Sequence, residues 1–326
     1  MTPAGDDFEV VTGAFSYSGA AIARELQAAG RRVRTLTGHP DRAPAGTAIE
    51  VRPLRFNQAQ LAGSLRGART LFNTYWVRFA HGQASHEKAV AQSRVLFQAA
   101  AEAGVRRVVH VSITHPDADS PYPYFRGKAA VEQALADLGL SHAVLRPSIL
   151  FGGDGVLINN IAWLLRHLPV FAVGGTGEYR IRPIHVDDLA RLAVQAADSG
   201  QAEVIDAVGP DRPAFIELVR FIKDAVGSHS QVVRVPGSLI APTARILGLA
   251  LRDTLLTAEE FEAMADGLAD TDGPATGEIS LTQWITDHKG TLGRTYANEL
   301  TRDFLYRTDR GGGAGNAHRA RGWDDA

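Results

Sequence analysis

Cysteine is absent from the 326-residue chain, which excludes thiolate catalysis, disulfide frameworks and cysteine metal sites. Lysine is scarce: of the 34 basic residues only Lys88, Lys128, Lys223 and Lys289 are lysines, so one at a chemically meaningful spacing stands out. Charge of one sign is lacking as well. A formal net charge of -2 and a pI near 6.6 give no reason to expect nucleic acid or an anionic membrane as partner. No apolar run approaches the roughly 18 residues of a membrane span, and the stretch from Leu239 to Leu251 is broken by Pro242, Thr243 and Arg245. Met1 to Glu9 has neither the basic nor the apolar region of a signal peptide. These absences lead to the expectation of a cytoplasmic protein with no nucleic-acid partner and no membrane insertion. The 11 histidines form no His-x-x-x-His or His-Glu-x-x-His pattern, so no metal is expected. No Gly-x-Ser-x-Gly elbow supports serine hydrolase chemistry.

What is present reads as an α/β chain. β-Branched runs at residues 8–12, 32–37, 48–54, 70–74, 107–112, 143–146 and 204–207 alternate with helical patterns, of which 19–29 and 87–103 are the clearest. That rhythm implies a parallel sheet with helices on both faces, a Rossmann-type doubly wound fold. After Pro213 the pattern turns mostly helical, over 215–226, 257–267 and 281–305. The expected organisation is a dinucleotide-binding domain over 1–210, with 153–182 contributing to a smaller, mostly helical C-terminal substrate lobe over 211–308. Residues 309–326, glycine-rich with little apolar material, are expected to be a disordered tail.

The first strand runs into Thr12-Gly13-Ala14-Phe15-Ser16-Tyr17-Ser18-Gly19 and then a helix, the context in which a glycine pattern binds a dinucleotide. Gly13 allows the tight turn and Gly19 the close helix–strand packing, while the helix N-terminus offers N–H groups and a positive dipole end to a pyrophosphate. Gly13, Phe15, Ser16, Tyr17 and Gly19 are the cofactor-contacting positions of this turn. Ser16 stands where a glycine usually lets the backbone nearest the phosphates, so weakened but surviving affinity is expected. At the end of the second strand Thr37 replaces the acid that holds an adenosine ribose, and Arg34, His39 and Arg42 are nearby. Thr37 and His39 therefore point to NADP rather than NAD.

Tyr124 and Lys128 lie four residues apart, so on a helix they share a face. A lysine ammonium beside a phenol favours the phenolate and makes the tyrosine a usable acid/base near neutrality. With 7 tyrosines in the chain, no other has a lysine four residues on. A hydroxyl partner is sought at the end of the preceding strand, with Thr114 preferred at the rim and Ser112 the alternative. Thr74-Tyr75-Trp76-Val77-Arg78-Phe79, after the fourth strand, should border the nicotinamide half of the cleft, with Tyr75 or Arg78 the candidates to touch substrate or cofactor and aromatic core the alternative.

Together these residues resemble the short-chain dehydrogenase/reductase superfamily in its extended or atypical branch, related to NAD(P)-dependent epimerase/dehydratases. The resemblance covers roughly residues 8 to 210. Leu145-Arg146-Pro147-Ser148-Ile149-Leu150-Phe151-Gly152 looks like that family's sixth strand and exit, and Ile184-His185-Val186-Asp187-Asp188 like its later His-Val-Asp-Asp segment. The resemblance implies Tyr124 as catalytic acid/base, Lys128 on the nicotinamide ribose, Thr114 polarising a substrate oxygen, Thr74 at the cofactor, and hydride transfer beside Pro147. Thr114 and Tyr124 are closer in sequence than in sugar-nucleotide epimerases. That short loop is more like atypical members, including the NAD(P)H-carrying accessory subunit of respiratory complex I. The leading expectation is an NAD(P)-dependent oxidoreductase acting on a hydroxyl or carbonyl of a small to medium substrate beneath the C-terminal lobe. The alternatives are an epimerase or dehydratase that recycles a tightly held cofactor, and a non-catalytic NAD(P)H-binding sensor or assembly protein. A small-molecule substrate is the expected partner; for self-association only the general prevalence of homodimers speaks.

Overall fold

The computed structural model describes residues 7–78 and 85–298. In chain order its first half forms β1 (Phe8–Thr12), α1 (Tyr17–Ala28), β2 (Val33–Thr37), β3 (Glu50–Pro53), α2 (Gln58–Leu65), β4 (Ala68–Asn73), α3 (His86–Glu102), β5 (Arg107–Val111), α4 (Pro123–Asp137) and β6 (His142–Pro147). The second half adds β7 (Leu150–Phe151), α5 (Val156–His167), β8 (Val170–Gly174), β9 (Ile184–His185), α6 (Val186–Asp198), β10 (Glu203–Ala207), α7 (Phe215–Ala225), β11 (Gln231–Val235), α8 (Ile240–Leu251), α9 (Ala258–Ala265) and α10 (Leu281–His288). The chain divides into two compact units: Met1–Gly153 with Arg182–Arg212 and Leu268–Leu281, and Asp154–Ile181 with Pro213–Gly267 and Thr282–Ala326.

The first unit is built on a seven-stranded sheet in the order β10-β6-β5-β4-β1-β2-β3, every pairing parallel. Strands buried on both faces read as continuous apolar runs, and β1 (FEVVT) and β5 (RVVHV) are buried at every position. One face is packed by α1 and α6 through Ile22, Leu26, Val186 and Leu189. The other is packed by α2, α3 and α4 through Leu61, Leu96, Phe97 and Val131. The strand order reverses between β1 and β4, and in open α/β sheets the crevice beyond the strand ends at such a point is where ligands bind. The doubly wound fold expected from the alternation is the one found.

Helix starts carry the local chemistry that a sequence shows only in part. Ser85 and Asn57 cap α3 and α2 by accepting from the N–H groups of Lys88 and Gln60, at 3.2 and 3.1 Å. His185, rather than either aspartate in the first turn, caps α6, its Nδ1 accepting from Asp187 N at 3.1 Å. Asp188 instead turns its carboxylate to the N–H groups of Glu278 and Ile279, at 3.1 and 2.8 Å.

Two expectations are corrected here. Leu268–Leu281, assigned from the sequence to the helical lobe, belongs with the sheet unit, where its backbone and side chains bond to Thr114 beyond β5, Ser148 beyond β6 and Asp206 within β10. The helix expected over 281–305 stops at His288, as Thr291 N and Leu292 N turn back onto the His288 carbonyl; residues 299–305 lie outside the described part. The expected tail over 309–326 also lies outside it.

The second unit has a two-stranded parallel pair, β8 with β11, and the helices α5, α7, α8 and α9 together with α10 from Thr282 onward. Among the described residues no helix is long and apolar enough to cross a membrane.

Candidate functional site

The turn after β1 is held from three directions. Gly13 N donates to Leu36 O at 2.8 Å, Ala14 N to the buried Thr35 hydroxyl at 3.0 Å, and Ser16 N back to Gly13 O at 2.8 Å. Gly13 has φ +68°, a left-handed value natural to glycine. Gly19 is required for a different reason: a Cβ there would stand 2.2 Å from Gly13 O and 2.8 Å from Gly13 C. The first turn of α1 rests on the backbone of the turn itself, which aims its N-terminus into the crevice.

Ser16 occupies the N-cap position but makes no side-chain cap; its hydroxyl donates to Gly13 O at 2.6 Å. Ser16 therefore places no side-chain cap on the N-terminus of α1, the end of a helix at which a pyrophosphate binds. The residues present fit a dinucleotide. Phe15 and Tyr17, the two aromatic residues of the turn, are partly buried. Both lie against the α1/α6 face of the core, and the Tyr17 hydroxyl donates to Gly152 O at 2.7 Å.

At the switch point Thr12 and Thr74 lock the ends of β1 and β4 together. Thr74 Oγ1 donates to Thr12 O at 2.6 Å, and Thr12 Oγ1 accepts from Thr74 N at 2.8 Å. Thr74, expected at the cofactor, therefore has its hydroxyl engaged by the strand end. Asn73, which no spacing pointed to, continues this network. Its Oδ1 accepts from Tyr75 N at 3.2 Å and its Nδ2 lies 3.1 Å from His110 Nδ1. The amide donates there, so the His110 proton sits on Nε2, a buried atom with no hydrogen-bond partner among the described residues. Burial, with Lys128 nearby, pushes the His110 pKa well down, so this imidazole is neutral.

At the end of β2, Thr37 Oγ1 accepts from His39 N at 3.1 Å. Burial, with Arg42 nearby, lowers the His39 pKa. Arg34 is removed from any cofactor role: it pairs with Glu50 at 2.8 Å, donates to Ser64 O at 2.6 Å and lies 3.9 Å over the Phe8 ring. Its side chain leaves the middle of β2 toward β3 and α2.

Tyr124 and Lys128 share one face of α4, as the spacing requires. Lys128 is 3% exposed, and its Nζ donates to Val111 O at 3.0 Å. Burial pushes this amine down to about 7, against which Glu132 acts weakly upward. The amine is 6.0 Å from the Tyr124 ring centroid and 4.6 Å from that of Trp76. The sequence placed Trp76 only within the run after the fourth strand, since no spacing ties it to Lys128.

The hydroxyl partner expected of Thr114 is not presented. Thr114 is buried, and its Oγ1 donates to Leu268 O at 2.8 Å; Ser112, the alternative, donates to Glu132, which also pairs with Arg146 at 2.6 Å. The Leu268–Leu281 segment is the cause. Ala269 O accepts from Ser148 Oγ at 2.6 Å, Asp270 O from the His115 ring at 2.5 Å, and Thr271 Oγ1 donates to Asp206 at 2.9 Å. Thr114 N in turn donates to Pro147 O at 3.0 Å, which fixes Pro147 at the β6 exit. Among the described residues no group of three or more His, Asp or Glu could hold a metal.

A crossover sheet with a glycine-gated helix N-terminus at its switch point defines a dinucleotide-binding protein. The sequence profile of a family described as NAD(P)H-binding matches residues 13–200, and the chain belongs to that family. Among curated proteins it is similar to the mitochondrial NADH-ubiquinone oxidoreductase 40 kDa subunit of Neurospora crassa, 26% identical over 167 residues, 51% of this chain and 44% of that protein. The chain spans less than half the length of the first curated relatives it matches. Among solved structures, the Escherichia coli NADPH-dependent quinone oxidoreductase complexed with NADPH superposes with a TM-score of 0.71 at 21% identity, over 86% of this chain and 99% of that one. The Citrobacter sp. triphenylmethane reductase complexed with NADP(H) gives 0.71 at 17% identity, again over 86% and 99%. These likenesses show the fold, a parallel sheet flanked by helices of the Rossmann type.

Proposed function

We propose that the protein is an NADPH-dependent oxidoreductase in which Tyr124 is the proton donor or acceptor and Lys128 contacts the nicotinamide ribose. The observation that carries this reading is a buried lysine, its amine at about 7, one helical turn from Tyr124 beside the end of β5. Packing alone does not favour a lysine there, because a buried amine is costly unless it works. Gly13, Gly19 and the uncapped start of α1 hold the pyrophosphate, and Thr37, His39 and Arg42 surround the adenosine ribose. The nicotinamide, when bound, supplies or accepts the hydride. Tyr124 moves the proton at its hydroxyl, and Pro147 and Thr74 shape the crevice through their backbone.

Tyr124→Phe is expected to lower turnover by roughly 10²–10⁴-fold while leaving NADPH affinity within about threefold. The measurement is NADPH oxidation with quinones and triphenylmethane dyes, the compounds named for the fold's neighbours, as first acceptors. Full turnover in the variant would remove Tyr124 from the chemistry.

The assignment of NADP rests on Arg42 rather than Arg34. Arg42→Ala is expected to weaken NADPH about tenfold and NADH hardly at all, in line with loss of one charge-assisted hydrogen bond. Arg34→Ala is expected to cost roughly 1–2 kcal/mol of stability and leave the ratio of the two affinities unchanged. Paired fluorescence titrations with NADPH and NADH decide this; a ratio that follows Arg34 instead would reverse the assignment.

A second reading, a non-catalytic NAD(P)H-binding protein, is favoured by one observation: both hydroxyls that could polarise a substrate oxygen are engaged, Thr114 by Leu268 and Ser112 by Glu132. Saturable NADPH binding without turnover on any carbonyl, quinone or dye would make this the better account.

A further inference from the structure

Trp76, in the loop after β4, packs against α4. Its indole is parallel to the His86 ring, with centroids 5.8 Å apart and 4° between planes, and edge-on to Tyr124 at 5.7 Å and 85°. Lys128 Nζ lies 4.6 Å from its centroid. Gly127 admits the ring: a Cβ there would stand 2.8 Å from Trp76 Cη2 and 3.2 Å from Cζ2. The indole Nε1 is buried without a hydrogen-bond partner among the described residues. An unpaired buried donor is costly, and a smaller ring would fill such a space without it, so packing alone does not account for tryptophan here.

We propose that Trp76 is a positioning residue for Lys128: its ring face, seated over Gly127, holds the amine against Val111 O and shields it from water, and so sets the pH range in which that amine meets a cofactor ribose. Only the last clause rests on the oxidoreductase reading; the placement of the amine does not.

The groups that face Lys128 leave this role to the ring. On its own helix, Glu132 is drawn off by Arg146 of β6 and by Ser112, and Tyr124 presents a ring at 6.0 Å. On β5, His110 is neutral and bonded to Asn73. At the start of α3, His86 stacks on the far partner, Trp76, rather than on the amine. Burial is the largest influence on the amine, and the indole is the aromatic face nearest to it among the described residues.

The scarcity of lysine makes the test direct. In the full-length protein with 13C-labelled lysine side chains there are four ε-methylene signals, and Lys128→Arg identifies the relevant one. The unmutated protein is expected to show the Lys128 ε-protons moved upfield by the indole ring current, with a titration midpoint at about 7. Trp76→Leu is expected to abolish the upfield shift and raise the midpoint by a pH unit or more, a tenfold change in the amine-to-ammonium ratio at fixed pH. Trp76→Phe, which keeps a ring face, should hold it within about half a unit. An unshifted Lys128 signal in the unmutated protein, or an unmoved midpoint in folded Trp76→Leu, overturns the proposal. The ring-current measurement needs no variant of Trp76, so it decides even if Trp76→Leu fails to fold. NADPH titrations from pH 6 to 9 on the same samples separate the two readings. Affinity that changes with the Lys128 midpoint supports the ribose contact. A midpoint that moves while affinity stays flat supports the positioning role and overturns the ribose contact.

Discussion

Gly19→Ala is expected to destabilise the protein by about 3 kcal/mol or more and to abolish NADPH binding. The added Cβ would stand 2.2 Å from Gly13 O, 2.8 Å from Gly13 C and 3.0 Å from Thr12 O. All three are backbone atoms of the strand end and turn, so no side chain can rotate away to relieve the clash. Relief comes only by moving α1 off β1, which also withdraws the helix N-terminus from the crevice. Urea unfolding and NADPH fluorescence titration measure the two effects. Gly63→Ala provides the contrast, since a Cβ at that α2 position meets nothing within 4 Å. There the helix gains roughly 0.5–1 kcal/mol from lost glycine entropy. Equal behaviour of the two variants would mean that close packing at Gly19 is not what the turn depends on.

Lys128→Met is expected to do the opposite to stability while destroying function. An amine at about 7 in the folded state and 10.5 when unfolded means that the unfolded chain binds the extra proton between those values. Stability from this group therefore rises with pH across that window. The full penalty is present below pH 7, and it is relieved progressively between about 7 and 10.5. Its size is on the order of 4 kcal/mol at neutral pH and below. Methionine has similar length and no charge to desolvate, so the variant should be the more stable protein at pH 6. The difference from the unmutated protein should shrink toward pH 10. NADPH affinity should fall about tenfold. Denaturant melts at pH 6, 8 and 10 give the stability difference directly. A constant difference across that range would show that Lys128 is not held as a suppressed amine. The pairing of a stability gain with a binding loss is what a residue kept for function at a structural cost produces.

Much of this molecule follows from local patterns. Strands such as β1 and β5 are rich in β-branched residues and buried throughout because parallel strands are covered on both faces, so they stand out from the half-polar helices between them. The glycine turn is equally local: strand, Gly13, Gly19 and helix lie within a dozen residues, and the constraints on both glycines come from the same few atoms. The Tyr124/Lys128 spacing fixes a shared helix face by geometry alone. Partner choice is another matter. Arg34 is basic and close in sequence to Thr37 and His39, yet Glu50 on the neighbouring strand and Ser64 O claim it. His185, not either aspartate beside it, caps α6.

Legible in the chain alone were the strand–helix alternation, the turn that admits a dinucleotide, and the tyrosine and lysine on one face of α4. All of these are set by periodicity, backbone freedom and spacing over a few residues. Only the tertiary structure decided which of those groups are available. Thr114 is engaged by Leu268, 154 residues away, and Trp76 reaches Lys128 from another strand's loop. Such contacts depend on where distant segments come to lie on the sheet's rim. No local pattern records that, because burying a hydroxyl or an amine constrains its environment without specifying which part of the chain supplies it.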